Sequence, residues 1–204
     1  LIQPDAYPSG FSLPIRYNNT GNIMLTWIQN TDWMILHFIQ HYMRCPFLDF
    51  LMPKITMLGN GSLIWLLAAV LLLASKKYRK YGIALMAGIL CGNLTCDVIL
   101  KNIIARPRPC WLEDVNLLIH MPRDYSFPSG HTLTAIISAV IITCANHRFG
   151  WAAIPLAILI SFSRLYLFVH FPSDVLTSIV FGIIIGLTAV SVVRRTPKHT
   201  ADQS

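Results

Sequence analysis

An all-α integral membrane helix bundle is the fold class this sequence predicts, with about five transmembrane helices behind an N-terminal interfacial amphipathic helix. Three observations carry that expectation. Of the 204 residues, 54% are apolar and only 12% are charged. The mean hydropathy is positive, at +0.56. The apolar residues gather in long runs separated by short basic segments. A soluble domain of this length needs more charge to cover its surface, so the bilayer is the natural solvent. The length suits a single domain. The formal charge of +7 admits nucleic acid, anionic lipid or an anionic substrate as partner until the basic residues are located.

Residues 1–23 hold three prolines, an Asn-Asn pair and no apolar run. They lack the basic start and apolar core of a signal peptide. They are expected to be an extension outside the folded domain, which spans 24–198 and leaves 199–204 as a tail. From Asn30 to Arg44 the pattern is helical, with Asn30 or Thr31 as cap and Asp32 in the first turn, where the helix dipole favours a negative charge. His37, Gln40, His41 and Arg44 form one polar stripe on an otherwise apolar helix, which predicts a helix lying in the membrane interface.

Five crossings follow. The first ends at Ser75 and extends back toward Pro53. The others cover roughly Tyr81 to Ile104, His131 to Ala145, Gly150 to Val169, and Ser173 to Val193. Each is close to the ~20 residues a spanning helix needs. Lys76, Lys77, Arg79 and Lys80, then His147 and Arg148, then Arg194, Arg195 and Lys198 all fall on one face. The positive-inside rule makes that face, and the C-terminus, cytoplasmic. Lys101, Arg106, Arg108, Arg123 and Arg164 lie toward the other face and break the rule, which implies a task for them. With the excess charge largely at cytoplasmic loop ends, nucleic acid is disfavoured as a partner. Of the five cysteines, Cys91, Cys96 and Cys144 sit in apolar runs as small buried residues. Cys45 and Cys110 share the outer side, where a disulfide is conceivable. No spacing fits a zinc site.

Three segments converge on the outer face. In the first, Lys101 lies in an apolar helix, where a charge without a partner is costly, and Arg108 follows two helical turns later. Taken alone, Lys101 reads equally well as a lysine snorkelling to the interface. The second segment is Pro128-Ser129-Gly130-His131, directly before an apolar helix. It offers backbone N–H groups as an anion seat, though a serine cap followed by an interface histidine explains it as simply. In the third, Arg164, His170 and Asp174 flank Pro172. A carboxylate one turn below an imidazole can hold one ring nitrogen and leave the other as a nucleophile. A helix-start Asp beside an unrelated histidine is the plain alternative. Together the segments bring two histidines, a carboxylate, three cations and a glycine-exposed helix start to one membrane face, an inventory that fits a tetrahedral oxyanion with a leaving group.

These residues resemble the type 2 phosphatidic acid phosphatase superfamily, whose signature is K-x6-RP, then PSGH, then SR-x5-H-x3-D. All three parts match in order between Lys101 and Asp174. Arg106-Pro107 also reads RP, but only Arg108-Pro109 has the family spacing from Lys101. The resemblance implies that His170 is the nucleophile, oriented by Asp174, and that His131 protonates the leaving oxygen and then activates water. It implies that Lys101, Arg108, Ser129, Gly130 and Arg164 bind the phosphate, with no metal and no cofactor. Asp97, one turn before Lys101, is expected to pair with it or with a backbone group. The loop holding Trp111, Glu113, Asp114, His120 and Arg123 is expected to be solvated surface.

The resemblance extends to substrates: undecaprenyl diphosphate, phosphatidylglycerophosphate or phosphatidate, bound from the bilayer. An outward-facing site favours undecaprenyl diphosphate. Phosphotransfer to another lipid is a related possibility. A rival of another class, an anion-binding or transport protein, would use the cations but has no need of His131, His170 and Asp174 at these spacings.

Overall fold

The computed structural model describes residues 23–195. Most of the extension assigned to 1–23, and the whole 199–204 tail, fall outside those residues. Helix α1 (Ile23–Phe38) continues through a π-helical turn (Ile39–Met43). Then come α2 (Pro46–Gly59), a 3-10 turn (Asn60–Ser62) and α3 (Leu63–Ala74). Next are α4 (Arg79–Asn93), a π-helical segment (Leu94–Leu100), and the short α5 (Lys101–Ile104) and α6 (Pro109–Leu112). The bundle closes with α7 (Gly130–Ala145), α8 (His147–Tyr166) and α9 (Pro172–Arg195).

Four stretches are long and apolar enough to cross a bilayer: Pro46–Ala74, Arg79–Leu112, His147–Tyr166 and Pro172–Arg195. The fifth expected crossing is α7, which has only 16 residues. At 1.5 Å per residue it is about 24 Å long, short of the ~30 Å hydrocarbon layer. It can be short because it is the centre of the bundle. Helices α8, α9 and α4 pack around it, and Leu133, Ala135, Ile137 and Ile141 are essentially inaccessible.

Two glycine pairs bring the neighbours close to α7. A Cβ on Gly182 would lie 2.8 Å from Ile136 Cβ, and one on Gly186 would lie 3.0 Å from Val140 Cβ. On α4, a Cβ on Gly88 would stand 2.9 Å from Ile137 Cγ2, and one on Gly92 2.7 Å from its Cδ1. Both pairs are spaced four apart, the small-residue spacing that lets membrane helices approach without a hydrophobic driving force. The outward faces stay apolar: Leu90, Trp151, Leu176 and Ile184 are all exposed.

The bundle has two chemically distinct ends. At one, Asn146 Nδ2 donates to the Tyr78 hydroxyl (3.1 Å), and Arg194 reaches the Tyr81 hydroxyl and the Cys144 carbonyl. The basic segments gather there. At the other end lie the residues of the three motifs.

Three expectations need correction. Helix α1 begins at Ile23, so Asp32 sits mid-helix and is only 2% exposed. The polar stripe of the interfacial helix also binds protein, with His41 left exposed: His37 Nε2 meets the Glu113 carboxylate at 2.9 Å, Gln40 Nε2 donates to the Tyr166 carbonyl at 2.8 Å, and Arg44 reaches Asp49 and the Asn116 carbonyl. Cys45 is an exposed free thiol and Cys110 a buried one, so no disulfide joins them, and Cys91 is exposed on the outer face of α4.

Candidate active site

Each motif is delivered to the site by a local break in regular structure. The π-helical segment Leu94–Leu100 shifts the helical register just before Lys101, the kind of bulge often found at functional sites. Asp97 Oδ1 meets Lys101 Nζ at 2.7 Å, as expected. Lys101 is 8% exposed and also binds the Asp124 carboxylate, so it is held inside and does not snorkel. Ala105 then takes a left-handed conformation (φ 48°) and ends α5. The chain turns there and sends Arg106 and Arg108 into the protein.

Arg108, 2% exposed, is the hub. Its Nε and Nη2 donate to the Asp124 backbone carbonyl (2.7 Å) and carboxylate (2.9 Å), and its Nη1 donates to the Val169 carbonyl at 2.7 Å. The same Nη1 lies 3.0 Å from His170 Nε2. A guanidinium only donates, so Nε2 must be the accepting, unprotonated nitrogen. The proton of the neutral ring therefore sits on Nδ1.

His170 follows Phe168, which adopts φ 58° at the end of α8 and turns the chain back over the bundle. His170 Nδ1 faces Asp174 Oδ2 at 3.7 Å. That is too long for the direct hydrogen bond expected between them, and Nδ1 has no hydrogen-bond partner in the protein. Asp174, fully buried, accepts instead from Arg106 Nη1, the Ser126 hydroxyl and Phe171 N–H. Burial, then the positive charges of Arg108, Arg164 and Lys101, hold the His170 imidazole well below its ordinary 6.5. It is neutral at physiological pH.

Ser129 precedes α7 but does not cap it. Its N–H donates to Ser178 Oγ at 2.8 Å, and its own buried hydroxyl has no partner in the protein. Gly130 sits against the π-helical segment Leu94–Leu100, where an added Cβ would be 3.5 Å from Asp97 Oδ1. His131 Nε2 pairs with Asn60 Oδ1 at 2.8 Å. Gly59 makes room for that ring, since a Cβ there would lie 2.7 Å from His131 Cδ2. Arg164, 4% exposed, donates from Nη1 to Thr56 Oγ1. Its Nε is buried without a partner, and among the described residues no carboxylate pairs with it. Buried guanidinium groups without a counter-ion are costly.

The eight motif residues thus meet at one end of the bundle, with the charges of Arg108, Arg164 and Lys101 all acting on His170. Four further groups had no assigned role in the site from the sequence, although Arg106 stood out as a cation breaking the positive-inside rule. Asp124 and Ser126 come from the loop expected to be solvated surface. Asp32 and Arg106 form an ion pair at 2.7 Å behind Asp174. The available signal was charge balance: three buried cations with one carboxylate leave too much positive charge unmatched. Burial alone would raise the Asp124 carboxyl, but the charge of Arg108 and the hydrogen bond from Lys101 outweigh it and hold it at about 2.

A buried, unprotonated imidazole ringed by cations at one end of a membrane bundle describes a membrane-embedded enzyme of phosphate chemistry. The profile of the PAP2 superfamily matches residues 77–198, and the chain belongs to that family. It is similar to the undecaprenyl-diphosphatase BcrC of Bacillus subtilis (strain 168), with 32% identity over 74% of this chain and 77% of the relative. It is also 32% identical to an undecaprenyl-diphosphatase of Sulfolobus acidocaldarius, over 69% of this chain and 68% of the relative. Its fold is that of the crystal structure of a transmembrane PAP2 type phosphatidylglycerolphosphate phosphatase from Bacillus subtilis, at TM-score 0.70 and 24% identity, covering 85% of this chain and 89% of that one.

Proposed function

We propose that this integral membrane phosphatase hydrolyses the terminal phosphate of undecaprenyl diphosphate through a phosphohistidine on His170. The observation that carries the reading is Arg164, a buried guanidinium without a carboxylate, acting on an imidazole whose Nε2 lone pair is free of a proton. A phosphate seated there supplies the missing anion and presents phosphorus to Nε2.

In the forward step Nε2 attacks the terminal phosphorus, and the bond to the bridging oxygen breaks with its electron pair. His131 gives that oxygen a proton, and lipid monophosphate leaves. Attack puts positive charge on the imidazole, which the Asp174 carboxylate beside Nδ1 stabilises. Lys101, Arg108, Arg164, the Ser129 hydroxyl and the N–H groups at the start of α7 hold the oxygens as charge builds in the transition state. Water, deprotonated by His131, then attacks phosphorus, the P–N bond breaks, and inorganic phosphate departs. Arg108 occupies Nε2 at rest, so substrate binding must draw it to a phosphate oxygen before attack. The substrate choice rests on the curated relatives and on an outward-facing site, which the distribution of basic residues supports. On this reading the C-terminus is cytoplasmic.

Purified protein in detergent should release phosphate from undecaprenyl diphosphate several-fold more efficiently than from phosphatidylglycerophosphate or phosphatidate. His170→Ala should reduce release to background. Comparable rates on all three lipids would remove the narrow assignment and leave the reaction class standing. No release from any of them would remove both.

A further inference from the structure

Arg106 lies outside the family spacing and does not reach toward the cations that face His170. It stands behind the catalytic carboxylate. One guanidinium nitrogen, Nη1, binds Asp174 Oδ1 and donates to Ser173 Oγ at 2.7 Å. The other, Nη2, donates to Asp32 Oδ2 at 2.7 Å and to Gln29 Oε1 at 2.9 Å, both on α1. The Phe171 ring lies 4.0 Å from the guanidinium carbon, so the group is clamped on a face as well as at its edges. Asp32 completes the frame. Its Oδ1 accepts from Ser173 N–H at 2.8 Å, which caps α9 from another helix, and its Oδ2 accepts from the Ser173 hydroxyl. Trp33, the next residue of α1, packs edge-on to Phe171 at 5.1 Å between ring centres.

We propose that Arg106 is a positioning residue for the Asp174–His170 pair, and that Asp32 anchors it, making the N-terminal helix a functional part of the site. The geometry explains why. Asp174 holds His170 Nδ1 across 3.7 Å with no direct hydrogen bond, so its effect depends on where the carboxylate sits and how much of its charge is neutralised. Arg106 sets both. It pins Oδ1, leaving Oδ2 toward the ring, and it offsets the negative charge that would otherwise favour the imidazolium and remove the nucleophile. The bidentate fork suits this task, since one planar group can bridge two carboxylates.

The charged and titratable groups facing the pair are few. They are Lys101 from α5, Arg108 from the segment after it, Asp124 from the loop, His131 from α7, Arg164 from α8, and Arg106 with Asp32 behind. Of these, Arg106 and Asp32 touch neither the cations of the phosphate seat nor His170, so changing them should leave phosphate affinity intact.

The inference rests on the phosphatase reading, and full-length wild-type enzyme is the control for that reading. If the wild type fails to turn over lipid diphosphate, the function is wrong. If it turns over, the variants decide. Arg106→Gln alone buries two unpaired carboxylates and risks unfolding. The double variant Arg106→Gln with Asp32→Asn leaves the net buried charge unchanged, and its melting temperature reports folding separately. We expect it to fold, keep the wild-type KM, and lose kcat by at least ~10-fold. The acid limb of kcat/KM should move up by about one pH unit, because the unscreened Asp174 carboxylate raises the His170 pKa. Arg106→Lys should recover part of kcat and return the acid limb toward the wild-type position. A folded double variant with wild-type kcat and an unmoved acid limb would overturn the proposal. So would a loss confined to KM, which would put Arg106 at the phosphate seat.

Discussion

At the scale of single residues, the site works by placing ordinary groups where water cannot moderate them. His170 is 1% exposed, so every nearby cation acts on it with little screening. Its lowered pKa has a definite sign. The unfolded chain takes up a proton as pH falls below about 6.5, and the native imidazole resists, so this group withdraws stability as pH drops through that range. NMR of ring-labelled histidine should find the His170 imidazole still neutral at pH 5.5; a titration centred at 6.5 would contradict the buried, cation-ringed placement. Asp124 makes a second point. Its carboxylate occupies donors of Lys101 and Arg108, the same donors a phosphate needs. Asp124→Asn should therefore lower the inhibition constant for inorganic phosphate, and weaker inhibition would show that Asp124 holds those cations in place more than it competes for them. None of this was legible at position 124. A loop aspartate announces nothing until folding sets it beside a lysine 23 positions away.

At the scale of elements, legibility followed contrast. The five apolar runs and their basic separators stood out, and the motif segments sat at helix boundaries because Gly130, Pro109 and Pro172 mark them. Helix α1 starts earlier than the expected cap at Asn30 or Thr31, and its outward face carries the exposed apolar residues Trp27, Ile28 and Met34. In lipid an outward apolar face looks like a core face, which hides Asp32 as a buried polar residue of the same helix. The glycines of α9 and α4 were legible in principle, as two small residues four apart, but what they meet on α7 was not. Gly182→Ala places a methyl 2.8 Å from Ile136 Cβ and 3.1 Å from the Leu133 carbonyl oxygen. It should destabilise the protein by about 1–3 kcal/mol in a detergent unfolding titration. Leu176→Ala, on the exposed face of the same helix, should stay within about 0.5 kcal/mol. Equal effects would mean that the α7–α9 approach is not tight.

At the scale of the whole molecule, one bundle separates two chemistries, basic loops at one end and a phosphate-directed site at the other. A green fluorescent protein fused after Ser204 should fluoresce in bacterial cells, because that reporter matures in the cytoplasm, where the proposed orientation has the C-terminus. A dark, membrane-inserted fusion would reverse the orientation and remove the argument for a substrate presented at the outer leaflet. The account as a whole depends on covalent chemistry at one nitrogen. The direct measurement is rapid acid-free quenching of the enzyme with undecaprenyl diphosphate carrying a radiolabelled terminal phosphate, followed by peptide mapping. The account predicts label on His170, stable to base and lost in acid. Full turnover by His170→Ala, or label bound to any other residue, would contradict it.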